Sequence, residues 1–437
     1  MHVAIIGGGI SGIAAAFYLA QQKVSIDIFE SENQIGGRAG SDFLQERRVD
    51  FGGKNIGRNY LLFREFARAY GDPAFEYFGI NTSQLINGRI VSISREGSAW
   101  LNLLKIIRLC GLRKGITRLY PHIQAILNDR SQGVLCSDYF RALSENFDHL
   151  TLDRYLNQRC IDRVIRPITI RMNGAEPEEC YPGNFGSNLA LALDSFEQLT
   201  LGMYNLLDTF IASHRQESSF RILTGHRVTS IAKDQDKFRI NYLNGAVSGT
   251  GSYDRIISAL PAYSLAELLQ DELPEASRLL NKISYFPVSI AIVKYRDEVF
   301  PQNRRAMVFD RNSPLSNAGA YGLNDLDIVR YTFSGKASRA AISEHSTPEE
   351  VISLGEKTAS PYFSIKDNPK EAFVFRYFPK GLCAYSPKHH LLLEEIDRLV
   401  NRLSGFGTTG DYRRGASIEA CFRAAKECIE KVVGDGS

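Results

Sequence analysis

Val3-Ala4-Ile5-Ile6-Gly7-Gly8-Gly9-Ile10-Ser11-Gly12, read on to Glu30, is the stretch that decides the fold. Residues 3–6 form a short, apolar, largely β-branched run, the pattern of a parallel strand buried on both faces. Residues 13–20 read as a helix, residues 24–29 as a second strand, and Glu30 ends it. Strand, G-x-G-x-x-G, helix, strand and acid within about thirty residues make up the dinucleotide-binding unit. Gly7 makes the tight turn, Gly9 lets a pyrophosphate approach the backbone, and Gly12 lets helix and strand pack closely. Ser11 lies at the start of a helix whose free amides and partial positive charge favour phosphate. Glu30 would accept hydrogen bonds from the adenosine ribose. A 2′-phosphate there would lie roughly 4 Å from a carboxylate, a repulsion of order 4 kcal/mol at an effective dielectric of about 20. NADP is disfavoured on that ground, whereas NAD and FAD both satisfy the unit.

Around this unit the chain is of ordinary composition. Its 437 residues suit two domains, and 44% apolar and 23% charged residues are those of a folded, soluble protein. Lys and Arg number 52 against 49 Asp and Glu, a net charge of +3, which argues against nucleic acid as a partner. The seven cysteines never form a CxxC pair, so neither a disulfide framework nor a metal site is expected. Met1 and His2 lead straight into the first strand, so no signal peptide is expected, and the expected location is cytoplasmic. No run reaches the length of a membrane span. Residues 100–120 interleave Leu and Ile with Lys105, Arg108, Arg113, Lys114 and Arg118. Such a helix either packs its apolar face on the core or lies on a membrane surface, which keeps peripheral membrane contact open. A second glycine match, Gly405 to Gly410, lies near the C-terminus without a βαβ unit of its own.

Three further segments choose between NAD and FAD. Ile35-Gly36-Gly37-Arg38 follows Glu30, and Val49-Asp50-Phe51-Gly52-Gly53-Lys54-Asn55-Ile56-Gly57 follows that. Strand-like runs stand at 220–223, 228–231, 238–242 and 256–260. Thr409-Gly410-Asp411-Tyr412-Arg413-Arg414-Gly415-Ala416-Ser417-Ile418 leads into a last helix. Together these resemble the FAD-dependent amine oxidase superfamily, which includes protoporphyrinogen oxidases and phytoene-type desaturases. The resemblance implies an α/β architecture, a Rossmann-type FAD-binding domain interleaved with an α+β substrate domain of sheet plus helical cap. The expected pieces are 1–75, 185–275 and 365–437 for the FAD domain, 76–184 for the cap and 276–364 for the substrate sheet. It further implies non-covalent FAD, with Gly7, Gly9, Ser11, Gly12, Gly37, Arg38, Gly53, Lys54, Asn55, Ile56, Gly410 and Ser417 along it. Glu30 would take the ribose, the Val228 backbone the adenine, Asp411 the ribityl–phosphate region and the Ile418 amide the pyrimidine oxygen.

The chain also departs from the family. Amine oxidases of the superfamily usually carry a lysine in the strand beneath the flavin, but Ser289 or Ile290 occupies that place and Lys294 lies too far along. Ser417 stands where monoamine oxidases carry an aromatic residue. The run from Tyr377 to His389 looks more like protoporphyrinogen oxidases, although Cys383 stands where a proline is usual. These departures point to hydride removal from a small or medium organic substrate by CH–CH desaturation or ring oxidation. Two alternatives stand beside it: an amine or amino-acid oxidase with an altered pocket, and a redox-neutral flavoprotein acting as isomerase or carrier-binder. Lys54 or Arg171 is the candidate to hold a substrate carboxylate or carry a proton. His389 and His390 could act as a base, but adjacent histidines in a polar stretch are more often solvated. Oxygen, a quinone or a protein is the expected electron acceptor.

Overall fold

The computed structural model describes residues 1–77, 81–94, 99–301 and 304–434. Strand β1 (His2–Ile6) leads into α1 (Ile10–Ala20) and β2 (Ser25–Phe29). Helix α2 (Leu61–Ala69), the hairpin β3 (Asn81–Ile86) and β4 (Arg89–Ser94), and the helices α3 (Ala99–Cys110), α4 (Thr117–Asn128) and α5 (Arg166–Asn173) follow. After α6 (Met203–His214) come β5 (Phe220–Leu223), the meander β6 (His226–Asp234), β7 (Lys237–Asn244) and β8 (Val247–Tyr253), and β9 (Arg255–Ser258). The last stretch holds β10 (Ser284–Tyr295), β11 (Ala306–Val308), β12 (Leu315–Ala320), β13 (Ile328–Phe333), β14 (Lys370–Ala384), α7 (His389–Val400), β15 (Phe406–Thr408) and α8 (Ile418–Gly434).

Five strands in the order β5-β2-β1-β9-β15, all parallel, make the dinucleotide-binding sheet. Its strands are buried on both sides. On β1, Val3 and Ile5 join the apolar cluster under α1, α2, α6 and α8, while Ala4 and Ile6 join the one under the meander and α7. Helix α6 returns the chain to this domain at Gly202, whose φ of 83° suits glycine. The Asp50 carboxylate caps α6, accepting from the Met203 amide at 2.7 Å.

The second sheet has seven strands in the order β14-β10-β13-β12-β11-β3-β4. One face packs on the cluster containing Val329, Tyr331 and Phe333; the other carries Val288, Ile290, Arg330 and Thr332 toward a cavity. Three expected boundaries shift. Residues 81–94 form a hairpin at the edge of this sheet, not part of the cap; its Asn87-Gly88 turn has both residues at positive φ, 50° and 74°. Residues 370–384 pair along β10, so the sheet runs past 364. Phe185 and Leu189 pack among the helices of the cap, which therefore extends beyond 184.

Candidate functional site

A cavity of about 1850 Å³ runs from the glycine-rich turn to the space between the seven-stranded sheet and the cap helices. Single-ligand sites usually occupy about 300–1,000 Å³, so this one has room for a long cofactor and a substrate together. At one end, Gly7 has φ 102° and its amide donates to the Phe29 carbonyl at 2.8 Å, closing the turn. A Cβ on Gly12 would lie 1.9 Å from the Gly7 carbonyl oxygen, so strand and helix meet there with no space for a side chain. A Cβ on Gly9 would meet nothing within 4 Å and would project into open space. Gly9 is thus free of any packing demand, and the turn leaves a cradle that a ligand's phosphates fit. Glu30 is buried at the same end. Its carboxylate accepts from the Gly8 amide at 2.8 Å and the Glu32 amide at 2.9 Å.

Farther along, Arg38 and Asp411, 373 residues apart in the chain, form an ion pair at 2.6 Å. Arg38 also donates to the Gly381 carbonyl at 3.0 Å, and the Tyr285 hydroxyl donates to Asp411 at 2.8 Å. Burial opposes the Arg38 charge, but the Asp411 carboxylate outweighs it and holds the guanidinium above its usual range. Ser417 caps α8, its hydroxyl accepting from the Ala420 amide at 3.1 Å. Helix α8 thus begins at the cavity wall, which Ser417, Ile418 and Cys421 line, and its first-turn amides lack intrahelical partners.

Beyond this point the cavity continues as a chamber. Its roof is apolar, with Ile106, Leu109, Ile116, Leu119 and Ile168 from the cap. Its floor is the seven-stranded sheet, where Arg330 donates to the Phe51 carbonyl at 3.1 Å and to the Thr332 hydroxyl at 3.2 Å. Burial lowers the Arg330 pKa to about 10, with the nearby Arg171 charge adding to the effect. Burial lowers Arg171 as well, and among the described residues Arg171 makes no hydrogen bond or ion pair. Lys54 lines the wall, and its Nζ donates to Gln198 Oε1 at 3.0 Å and to the Tyr321 carbonyl. Burial, then the Arg330 charge, pull its pKa down to about 7.

Of the residues singled out from sequence, Gly7, Gly9, Ser11, Glu30, Gly37, Arg38, Gly53, Lys54, Asn55, Arg171, Val228, Asp411, Ser417 and Ile418 all line this one cavity. Three do not. Gly12 is spent on the helix–strand contact, Ile56 is fully buried in the apolar core, and Gly410 shapes the backbone ahead of Asp411 beside the Tyr412 ring. Lys294 pairs with Glu371 at 3.3 Å, away from the cavity. His389 and His390 are buried, contrary to the expectation that they are solvated. His389 donates from Nε2 to the Tyr412 carbonyl at 2.8 Å, and burial lowers its pKa to about 4; neither histidine lines the cavity. Arg330 escaped the sequence reading. Its signal was the alternation of residues 328–333, which sets Arg330 and Thr332 on the face opposite Val329, Tyr331 and Phe333.

Among the described residues no group of three or more His, Cys, Asp or Glu could hold a metal ion, and no helix is long and apolar enough to cross a membrane. Comparison with known proteins agrees with the geometry. The chain is 20% identical to protoporphyrinogen oxidase 2, chloroplastic/mitochondrial, of Arabidopsis thaliana, over 99% of this chain and 94% of that one. It is 22% identical to coproporphyrinogen III oxidase of Mycobacterium leprae (strain TN), over 98% and 97% of the two chains. Among solved structures, cyclohexylamine oxidase from Brevibacterium oxydans IH-35A shares the fold, with a TM-score of 0.72 at 15% identity over 99% of both chains. The family model for flavin containing amine oxidoreductases matches residues 10–336, three quarters of the sequence, so the chain belongs to that family and is an FAD-dependent oxidoreductase.

Proposed function

We propose that this enzyme removes a hydride from a CH–CH bond or ring carbon of an apolar organic substrate, with FAD held non-covalently along the cavity. The observation that carries this reading is the continuity of that cavity, from the cradle at Gly9 to the apolar chamber. The amides at the start of α1 and Arg38 would hold the pyrophosphate, Glu30 the ribose, and the Val228 backbone the adenine. Asp411 would bind the ribityl–phosphate region, and the Ile418 amide at the α8 N-terminus would meet the pyrimidine oxygen. When bound, FAD supplies a two-electron acceptor for the hydride. The cap's apolar side chains exclude water from the reacting carbon. Lys54 carries the accompanying proton: its depressed pKa lets Nζ exchange protons near neutrality, and it stands between the chamber and a small outer cavity that Glu76 and Gln198 line. Two features favour carbon oxidation over amine oxidation. Ile290, one of the two candidates for the place where amine oxidases usually carry a lysine, faces the chamber beside Val288, and the chamber's cations repel an ammonium. Oxygen, a quinone or a protein takes the electrons onward. The cap also gives the protein a peripheral membrane contact, through the outer face of α3.

The test starts from purified protein with its flavin spectrum recorded. Acid precipitation should release FAD into the supernatant. Anaerobic titration with protoporphyrinogen, coproporphyrinogen and saturated cyclic compounds should bleach the flavin, whereas primary amines should not. The Lys54→Met variant should keep its FAD and bleach more slowly. Bleaching by amines with peroxide release on re-aeration, and none by the cyclic compounds, would assign amine oxidation instead.

A further inference from the structure

Three cysteines line the cavity: Cys110 at the end of α3, and Cys383 and Cys421 toward the Arg38–Asp411 pair. Cys383 shares a hydrogen bond with the Tyr285 hydroxyl and Cys421 with the Ser11 hydroxyl, and burial pushes both thiols up. Cys110 differs, because its neighbour is a second thiol: Cys160 donates to its sulfur. The backbones are held together apart from that bond. Asn157 stands between them, its Nδ2 donating to the Cys110 carbonyl at 3.1 Å and its Oδ1 accepting from the Cys160 amide at 2.9 Å. The two main chains are thus one side-chain amide apart. Arg159 adds a second tie by donating to the Arg108 carbonyl. Both thiols are free, buried, and part of the apolar cluster of the cap; Cys110 lines the cavity and Cys160 does not. A buried cysteine is usually a small, inert apolar filler. A bonded pair with one sulfur on a cavity is instead the arrangement of an oxidisable thiol and its resolving partner.

We propose that Cys110 and Cys160 are a peroxide-sensitive dithiol, and that their disulfide locks the roof of the chamber. The oxidant is hydrogen peroxide. The Cys110 thiolate attacks one peroxide oxygen, the O–O bond breaks, and the departing hydroxide takes up the thiol proton and leaves as water. Cys110 is then a sulfenic acid. The Cys160 sulfur attacks the Cys110 sulfur, the S–O bond breaks, and a second water leaves with the Cys160 proton. Two thiols are oxidised to one disulfide and one peroxide is reduced to two waters. The hydrogen bond from Cys160 favours the Cys110 thiolate against the cost of burial, with the Arg159 charge adding to it, and holds Cys110 below the usual thiol range. The new bond joins the end of α3 to the turn Gln158–Cys160, which runs through Ile161–Ile165 into α5. Ile106 and Leu109 line the cavity on one side of the link, and Val164, Ile165 and Ile168 on the other. It therefore ties together two parts of the roof that packing and hydrogen bonds otherwise hold. The inference does not depend on which substrate the chamber takes.

The test uses the FAD-loaded protein, reduced with dithiothreitol, desalted and treated with a small molar excess of hydrogen peroxide, with FAD content measured in every sample. The intact mass should fall by about 2 Da, peptide mapping without reductant should join Cys110 to Cys160, and dithiothreitol should reverse both. In the oxidised form, amide hydrogen exchange across residues 99–116 and 158–173 should slow by about threefold or more, while exchange in the five-stranded sheet stays as it was. Cys160→Ala should stop at the sulfenic acid, which dimedone traps on Cys110. Cys110→Ala should give neither the link nor the adduct at the same dose. Retained FAD shows that each variant is folded, and the mapping of the native chain needs no variant. A native chain in which both thiols stay reduced, or in which the link forms between other cysteines, would overturn the dithiol. A Cys110–Cys160 link that leaves exchange in the roof unchanged would overturn the lock.

Discussion

At the scale of single residues, the glycines of the first turn separate what the fold needs from what the ligand needs. A Cβ at position 12 collides with the Gly7 carbonyl, while one at position 9 enters open space. Gly9 has φ −72°, which alanine adopts freely. Gly9→Ala should therefore leave the Tm of FAD-free protein nearly unchanged and weaken FAD binding about tenfold or more, as judged by flavin retained after gel filtration. Gly12→Ala should do the opposite first: it overpacks the helix–strand contact and should destabilise the FAD-free protein by about 1–3 kcal/mol in thermal melts. If Gly9→Ala bound FAD as tightly as the native chain, the cradle would lie elsewhere. Both glycines belong to one motif in the sequence, and the pattern alone already assigns Gly9 to the ligand and Gly12 to the packing of helix on strand. The contacts that close in Gly12 come from Gly7 and Ile5 of the same unit, while Gly9 meets nothing, which is why the separate roles were legible in so short a stretch.

At the scale of elements, legibility followed the range of the forces involved. The unit from β1 to β2 is written locally, in an apolar run, three glycines and a helix-forming stretch, and it was readable without the rest of the molecule. The hairpin of β3 and β4 also has a local signature, Asn87-Gly88 between alternating residues, yet the surrounding helical segments masked it. Strand β14 was harder to place, since Pro379 interrupts it where its register with β10 shifts, a position where a missing N–H is tolerated. For α3 the sequence left core packing and membrane contact both open, and the structure uses the helix on two sides. Ile106, Leu109 and Cys110 line the cavity, while Trp100, Leu101, Leu103 and Leu104 are exposed, near the exposed cations Arg108, Arg113 and Lys114. An exposed apolar face with a cationic border suits the surface of an anionic bilayer. The native chain should co-sediment with phosphatidylglycerol vesicles and less with phosphatidylcholine ones. Trp100→Asp with Leu104→Asp should abolish co-sedimentation while the bound flavin is retained. A native chain that stays in the supernatant with both vesicle types would end the proposal.

At the scale of the whole molecule, the site exists because the chain crosses between two sheets several times. Arg38 and Asp411, Lys54 and Tyr321, and Phe51 and Arg330 are each brought together across hundreds of residues. Sequence motifs gave their separate positions; the pairing depends on how the sheets dock, which no local pattern encodes. The same crossing explains the second glycine match. Gly405 to Gly410 brackets β15, which pairs with β9 as the edge strand of the first dinucleotide sheet and delivers Asp411 to Arg38. Those glycines therefore belong to the first dinucleotide sheet, beside the proposed cofactor site, and open no second βαβ unit among the described residues. A nicotinamide cofactor would have to reach the flavin through the chamber, beneath an apolar roof, in a cavity of about 1850 Å³ that would already have to hold FAD and substrate. Under anaerobic stopped flow, neither NADH nor NADPH should bleach the bound flavin at a rate above buffer. Flavin reduced by dithionite should then be reoxidised rapidly by oxygen or a short-chain quinone. Fast bleaching by either nicotinamide would show that the chamber admits a second dinucleotide, and the assignment of its apolar roof to the substrate body would fall with it.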